Sequence, residues 1–421
     1  MINLKKSLFI SAAIAGICLG SAQSYAAGFY IQEQSVKGLG SAFAGSSTNL
    51  NDASTVYFNP AGMTKLEGMQ MNVGAHLLIP SADLTDTGTT GVGAGAGIAI
   101  GTEDGGNPYS PSPVPNLFFA TPLYDTGVWA GIGVTAPFGL ANDYDDGWFG
   151  RFDSTETELT TINVSPALAF EATEWLSVGG GIDIQYADAE LKSAVSNVVS
   201  EGESKLEGDD ISIGYNIGLQ ANPMENTTIG IHYRSAMSHE LDGRISVQGL
   251  SAGNFDVSGT ADLNLPDIAT FGLSHDVNDK LTLMGQATWF GWNNFEDITA
   301  VSDAGTVLSS VIQNYQTTWA FAIGAEYDVN EDWTVRAGYQ YDGTPTTDEY
   351  RTSRTPDGDR NWFSLGASYD ISENFELDMA ATYIDISEES ISLSRNSNLI
   401  NMEADTDGSV GILALGLNYK F

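Results

Sequence analysis

Residues 332–342, DWTVRAGYQYD, decide the fold. Trp333, Val335, Ala337, Tyr339 and Tyr341 fall on one parity, and Thr334, Arg336, Gly338, Gln340 and Asp342 on the other. Successive side chains of a strand point to opposite faces, so this segment has one greasy face and one wet face. Just upstream, TTWAFAIGAEYDV (317–329) sets Trp319, Phe321, Ile323, Ala325, Tyr327 and Val329 against Ala320, Ala322, Gly324, Glu326 and Asp328. The last residues, VGILALGLNYKF (410–421), align Leu413, Leu415, Leu417, Tyr419 and Phe421. Period-two runs of about ten residues with aromatics at their ends are the pattern of strands that face lipid.

Working outward, the same pattern places strands near 69–79, 114–123, 128–138, 157–172, 175–188, 210–221, 227–237, 260–276, 280–292, 317–329, 332–342, 361–371, 374–386 and 409–421. Their connections come in two lengths. The short ones, such as YDTG, NPMEN, DVND, VNED and ISEN, are rich in turn formers. The long ones are 80–113, 189–209, 238–259, 293–316, 343–360 and 387–408. Short turns at one end and long loops at the other organise an outer-membrane barrel. The expected fold is all-β, a fourteen-stranded antiparallel transmembrane β-barrel. Ring closure removes the unpaired edges that hydrocarbon does not tolerate. Inside the loop 189–209, LKSAVSNVVS has helical spacing.

The chain opens with Lys5 and Lys6, an apolar run and Ser24-Tyr25-Ala26, which reads as a signal peptide over 1–26. Cys18, the single cysteine, lies in that run, so the mature chain has no disulfide and no cysteine metal site. The 54 acidic against 16 basic side chains argue against a nucleic-acid partner, whose phosphates attract Lys and Arg. Losing Lys5 and Lys6 takes the formal charge from −38 to −40.

Residues 27–68 precede the barrel, 69–421, and do not alternate. They are dense in Gly, Ala and Ser, which suits close packing and short helical turns. Asn59-Pro60 reads as a helix start, with Asn as N-cap and Pro in the first position. A ring of fourteen strands leaves a lumen, and this segment is its natural filler, a small helical hatch.

AGFYIQEQSVKGLGSAFAG and DASTVYFNPAGM resemble the FadL-type outer-membrane transporters of long-chain fatty acids and other hydrophobic compounds. The resemblance resumes at GIGVTAPFGLANDYDDGWFGRFDS, at ELTTINVSPALAFEATEWLSVGGGIDIQYADA and at RTPDGDRNWFSLGASYDISENFELD. Asn59, Pro60 and Ala61 match the family's hatch motif. The resemblance implies a hatched barrel, capture of apolar ligands at outer loops, and sideways release through a gap beside a kinked third strand. No cofactor is implied. The expected partners are a long-chain fatty acid or another hydrophobic small molecule and the lipid and lipopolysaccharide of the outer membrane, with the chain acting as a monomer.

On that reading Val195, Val198 and Val199 are candidates for the first contact. Phe29, Phe43, Val56, Tyr57 and Phe58 are candidates for a pocket between hatch and wall. Gly131, Gly133 and Pro137 mark the strand expected to open, because Gly and Pro weaken a ladder. Alternation turns Arg336, Arg234 and His232 inward; Arg336 is a candidate for a carboxylate ligand, although a ladder-side ion pair with Glu326 or Asp328 is the favoured role. Asp188 and Glu190 stand where a cation would serve a fatty acid, which keeps neutral or aromatic hydrocarbons open as ligands. An aqueous porin is the rival without a plug. An outer-membrane hydrolase is the other, but His76, His232, His239 and His275 form no Ser or Asp constellation and no nucleophile elbow follows a strand.

Overall fold

The computed structural model describes residues 28–91, 100–123, 126–197, 199–395 and 399–421. The segment 1–26, expected to be a signal peptide, and Val198 lie outside the described residues. Fourteen strands cross in turn: β1 (Gln70–Asp86), β2 (Ser112–Pro122), β3 (Val128–Thr135, resumed at Gly139–Asp143), β4 (Glu156–Thr173), β5 (Leu176–Ser196), β6 (Glu201–Met224) and β7 (Thr227–Arg234, resumed at Met237–Gln248). They continue as β8 (Phe255–Leu265, then Ile268–Asn278), β9 (Leu281–Phe290), β10 (Thr318–Asp328), β11 (Trp333–Asp342), β12 (Arg360–Ser372), β13 (Phe375–Arg395) and β14 (Ile400–Lys420). Each pairs antiparallel with its neighbours, and β1 pairs with β14 from Gln70↔Lys420 to Asp86↔Ala404, closing the ring.

The expected alternation holds. Ile323 and Leu365 stand two-thirds exposed on the outer surface, while Arg336 and Gln340 are buried inside. Among the described residues no helix is long and apolar enough to cross a membrane, so crossing falls to the strands.

Several strands run well past the lipid-facing stretch. β5, β6, β13 and β14 carry the wall through most of 189–209 and 387–408, which the sequence left as loops. Above the lipid both faces are wetted, so hydrophobic alternation fades while the ladder continues. LKSAVSNVVS is accordingly extended through Ser196 and pairs with β6, correcting its helical spacing. The turn of β5 also corrects the placement of Asp188 and Glu190. Ala187 is fully buried and Ala189 lines an inner cavity, so the two acids face outward.

Residues 28–69 fill the lumen with a short helix α1 (Val36–Gly40), a second α2 (Thr55–Phe58) and a 3-10 turn, Pro60–Lys65. Asn59 caps that turn by accepting from the Ala61 amide at 3.2 Å, with Pro60 at its first position. Its side-chain nitrogen donates to the carbonyls of Ser47 (2.9 Å) and Leu219 (3.0 Å), tying hatch to β6. The wall is pared down to receive it: a Cβ on Gly218 would sit 2.0 Å from the Asn59 Oδ1, and one on Gly179 would sit 2.5 Å from the Ala61 nitrogen.

Candidate functional site

The ladder between β2 and β3 stops short. It runs from Pro122↔Trp129 to Leu117↔Val134, although β2 goes on pairing with β1 as far as Ser112. Residues 112–116 therefore have no partner on the β3 side. Two of them, Pro113 and Pro115, lack the amide a central strand would need, and proline belongs on such an edge. On the other flank, β3 pairs with β4 at Thr135↔Asn163 and again at Gly139↔Thr160. Three residues, 136–138, thus oppose two, which is a bulge with Pro137 at its centre.

The hatch supplies bonds that the wall lacks here. The Ile31 amide donates to the Pro137 carbonyl at 2.7 Å, and the Gly139 amide donates to the Phe29 carbonyl at 3.1 Å. The Gln34 side chain donates to the Ala136 carbonyl (2.9 Å) and accepts from its amide (3.3 Å). The Phe138 amide and carbonyl both go to the Thr161 hydroxyl. Residues 136–139 are therefore hydrogen-bonded across the break, by the hatch and by the Thr161 side chain rather than by a continuous ladder.

Three cavities lie on its outer side. A wide vestibule lies among the outer extensions, with Val195, Leu250, Phe255 and Ile312 in its wall. It shares Leu191, Leu206, Ile298, Gln313 and Arg354 with a narrower cavity, whose wall is mostly apolar: Phe29, Leu140, Leu159, Leu241 and Leu263 among others. That cavity in turn shares Leu140 and Thr355 with a third and smaller one, bounded by Gly28 and Tyr109. Leu140 follows the break in β3 and Tyr109 precedes β2, so the third cavity lies near the outer end of the break. Around Phe29 an aromatic cluster forms, with ring centroids 4.8 Å from Trp292 and 5.3 Å from Phe295.

Charged side chains stand at these walls, Glu207, Asp262 and Arg354 in the middle cavity and Asp153 and Arg395 in the vestibule. Glu33, fully buried in the hatch, is pushed up to about 8 by burial and so is neutral at pH 7. Burial also raises Asp153 in the outer loop, but Arg395, Arg354 and the Ser353 hydroxyl and amide outweigh it and hold the carboxyl below its ordinary value.

The sequence-predicted residues divide between cavity and hatch core. Phe29 lines the middle cavity and Val195 the vestibule. Val199 is 84% exposed at a loop tip. Phe43 stacks on Phe58 at 5.7 Å and Val56 packs against β3, so these three fill the hatch and its seam with the wall. The Tyr57 ring lies 4.2 Å beneath the Arg234 guanidinium, and its hydroxyl meets that of Tyr30. Arg336 donates to Glu326 Oε2 and to Ser368 Oγ, each at 2.6 Å, on the opposite side from the cavities. Gly131 and Gly133 stay within the regular ladder; a Cβ on Gly131 would sit 2.5 Å from Val56, so that glycine makes room for the hatch. Of the three gate residues, Pro137 alone occupies the break. Sequence reasoning passed over Gln34, Leu140 and Arg354, because none belongs to an alternating run and their roles depend on what the fold brings beside them.

A plugged barrel with an apolar route ending at a break in its wall is a channel for hydrophobic compounds in the outer membrane. The chain belongs to the outer membrane protein transport family (OMPP1/FadL/TodX), whose model matches residues 17–421. It is 26% identical to the long-chain fatty acid transport protein of Escherichia coli O6:H1, covering 99% of this chain and 100% of that one. It is 29% identical to the 47 kDa outer membrane protein of Pasteurella multocida, covering 96% of each. The crystal structure of a Pseudomonas aeruginosa FadL homologue superposes with a TM-score of 0.87 at 26% identity, over 94% of this chain and all of that one.

Proposed function

We propose that this chain takes long-chain fatty acids from outside the cell and delivers them sideways into the outer membrane. The observation that carries the reading is the row of wall-sharing cavities from the vestibule toward the break between β2 and β3. An acyl chain gains about 0.8 kcal/mol for each CH₂ removed from water, so it travels between greasy sites rather than through a wet pore. The vestibule offers wide capture, the apolar middle cavity offers a holding site, and release beside residues 112–116 puts the tail directly into lipid. The hatch stays in place, and the ligand leaves unchanged, without catalysis or cofactor. A single chain suffices, since the ring closes on itself and each wall of the route comes from one copy. Lipopolysaccharide is the lipid that surrounds its outer belt.

The test is uptake of labelled oleate by cells that lack their own fatty-acid transporter and express this chain, beside uptake of toluene. Oleate uptake supports the reading; toluene uptake without oleate uptake replaces it with a neutral-hydrocarbon channel. A large steady conductance in planar bilayers would make it a porin.

A further inference from the structure

The chain holds eight arginines, and seven are ion-paired: Arg151 with Glu201, Arg234 with Asp183, Arg244 with Asp256, Arg336 with Glu326, Arg351 with Asp348 and Glu389, Arg360 with Asp357, and Arg395 with Asp153. Arg354 is the exception. Its guanidinium donates to Ser154 Oγ (3.2 Å), the Glu156 carbonyl (3.1 Å), Thr157 Oγ1 (2.8 Å) and the Lys192 carbonyl (2.9 Å), all uncharged oxygens. The nearby Asp153 carboxylate is committed elsewhere, to Arg395 and to the Ser353 hydroxyl and amide. Arg354 is also the one basic residue in the mostly apolar wall of the middle cavity, where Glu207 and Asp262 are the acids, and it stands where that cavity meets the vestibule. It is partly exposed there rather than sealed in packing.

We infer that Arg354 is the head-group anchor, binding the carboxylate of an anionic amphiphile at the vestibule end while the tail lies in the cavity toward Phe29 and Leu140. The inference rests on the fatty-acid reading above and deepens it, since it makes the site discriminate by charge and not by greasiness alone. Four neutral hydrogen bonds fix the orientation of the guanidinium without cancelling its charge, leaving its attraction available to a ligand. Burial, opposed by Asp153 and reinforced by Arg395, pulls its pKa down to about 10. At neutral pH it is still fully charged.

The test compares three ligands of one tail, oleate, oleyl alcohol and oleylamine, by tryptophan-quenching titration of the purified full-length barrel in detergent. The wild type is expected to bind oleate at least tenfold tighter than the alcohol, with the amine weakest. Arg354→Gln should lose that tenfold for oleate and leave the alcohol unchanged, and Arg354→Lys should restore part of it. Equal binding of oleate and alcohol by the wild type overturns the anchor while sparing the transport reading, and needs no variant to fold. Binding of none of the three overturns both. A folded Arg354→Gln barrel, scored by its heat-modifiable gel mobility, that keeps full oleate preference also overturns the anchor.

Discussion

The hatch meets the wall in two different ways on its two sides. Toward β12–β14 it is bolted by charge: Lys37, almost fully buried in α1, reaches Glu376 Oε1 at 2.8 Å and Asp52 Oδ2 at 3.8 Å. Glu376 is held in turn by Asn418 at 2.8 Å, and α1 presses so close that a Cβ on Gly366 would sit 2.6 Å from the Gly40 Cα. Toward β3 it has neutral hydrogen bonds alone, two from its backbone and two through Gln34. Each such bond contributes about 0.5–1.5 kcal/mol net, and another partner can replace it. A buried ion pair has no substitute once one member is gone. The contrast teaches that the plug is fixed on one side and exchangeable on the other, and that the exchangeable side is where the cavities end.

The largest effect is expected from abolishing the break. Deleting one residue of the bulge while replacing Pro137 with Val should let β3 pair continuously with β2 and β4. Oleate uptake should fall by tenfold or more while the barrel still shows its heat-modifiable mobility; undiminished uptake would remove the break from the route. Next comes the bolted side. Lys37→Met leaves Glu376 and Asp52 without their cation and should cost about 3–5 kcal/mol, read from urea unfolding followed by tryptophan fluorescence. A loss under about 1 kcal/mol would show that the two sides do not differ as described. Gln34→Leu removes both side-chain bonds to Ala136 and should cost about 1–3 kcal/mol at most. Its clearer signature is faster amide exchange confined to 29–34 and 136–139, with α1 unchanged. The smallest effect is expected at Asn59→Ala, which loses a cap, one bond within the hatch and one to the wall for about 1–2 kcal/mol, with uptake preserved.

Much of the barrel was legible because lipid imposes a two-residue period on every strand that touches it. DWTVRAGYQYD could hardly be anything else, and Asn59-Pro60 announced its own capped turn. The outer extensions of β5, β6, β13 and β14 were not legible, since wetted strands carry no such period. The break in the ladder was half legible. Pro137 signals a break by chemistry, whereas Gly131 looked alike and serves to admit Val56. The charges were read in part: Arg336 stands in a clean alternating run and makes the ion pair with Glu326 that its ladder position offers, while Arg354 stands in an irregular loop and was passed over. Position along the chain fixes which face a side chain takes, but whether its charge is already answered depends on partners hundreds of residues away.

The most direct test of the account is to close the gap reversibly. Cys18 is the one native cysteine, so with Cys18→Ala in the background, cysteines at Pro115→Cys and Ala136→Cys, which a continued ladder would set opposite each other, give a clean cross-link. With disulfide formation confirmed by thiol titration, oleate uptake should stop in the oxidised protein and return on reduction. Uptake at the full rate through the cross-linked wall would contradict sideways release between β2 and β3.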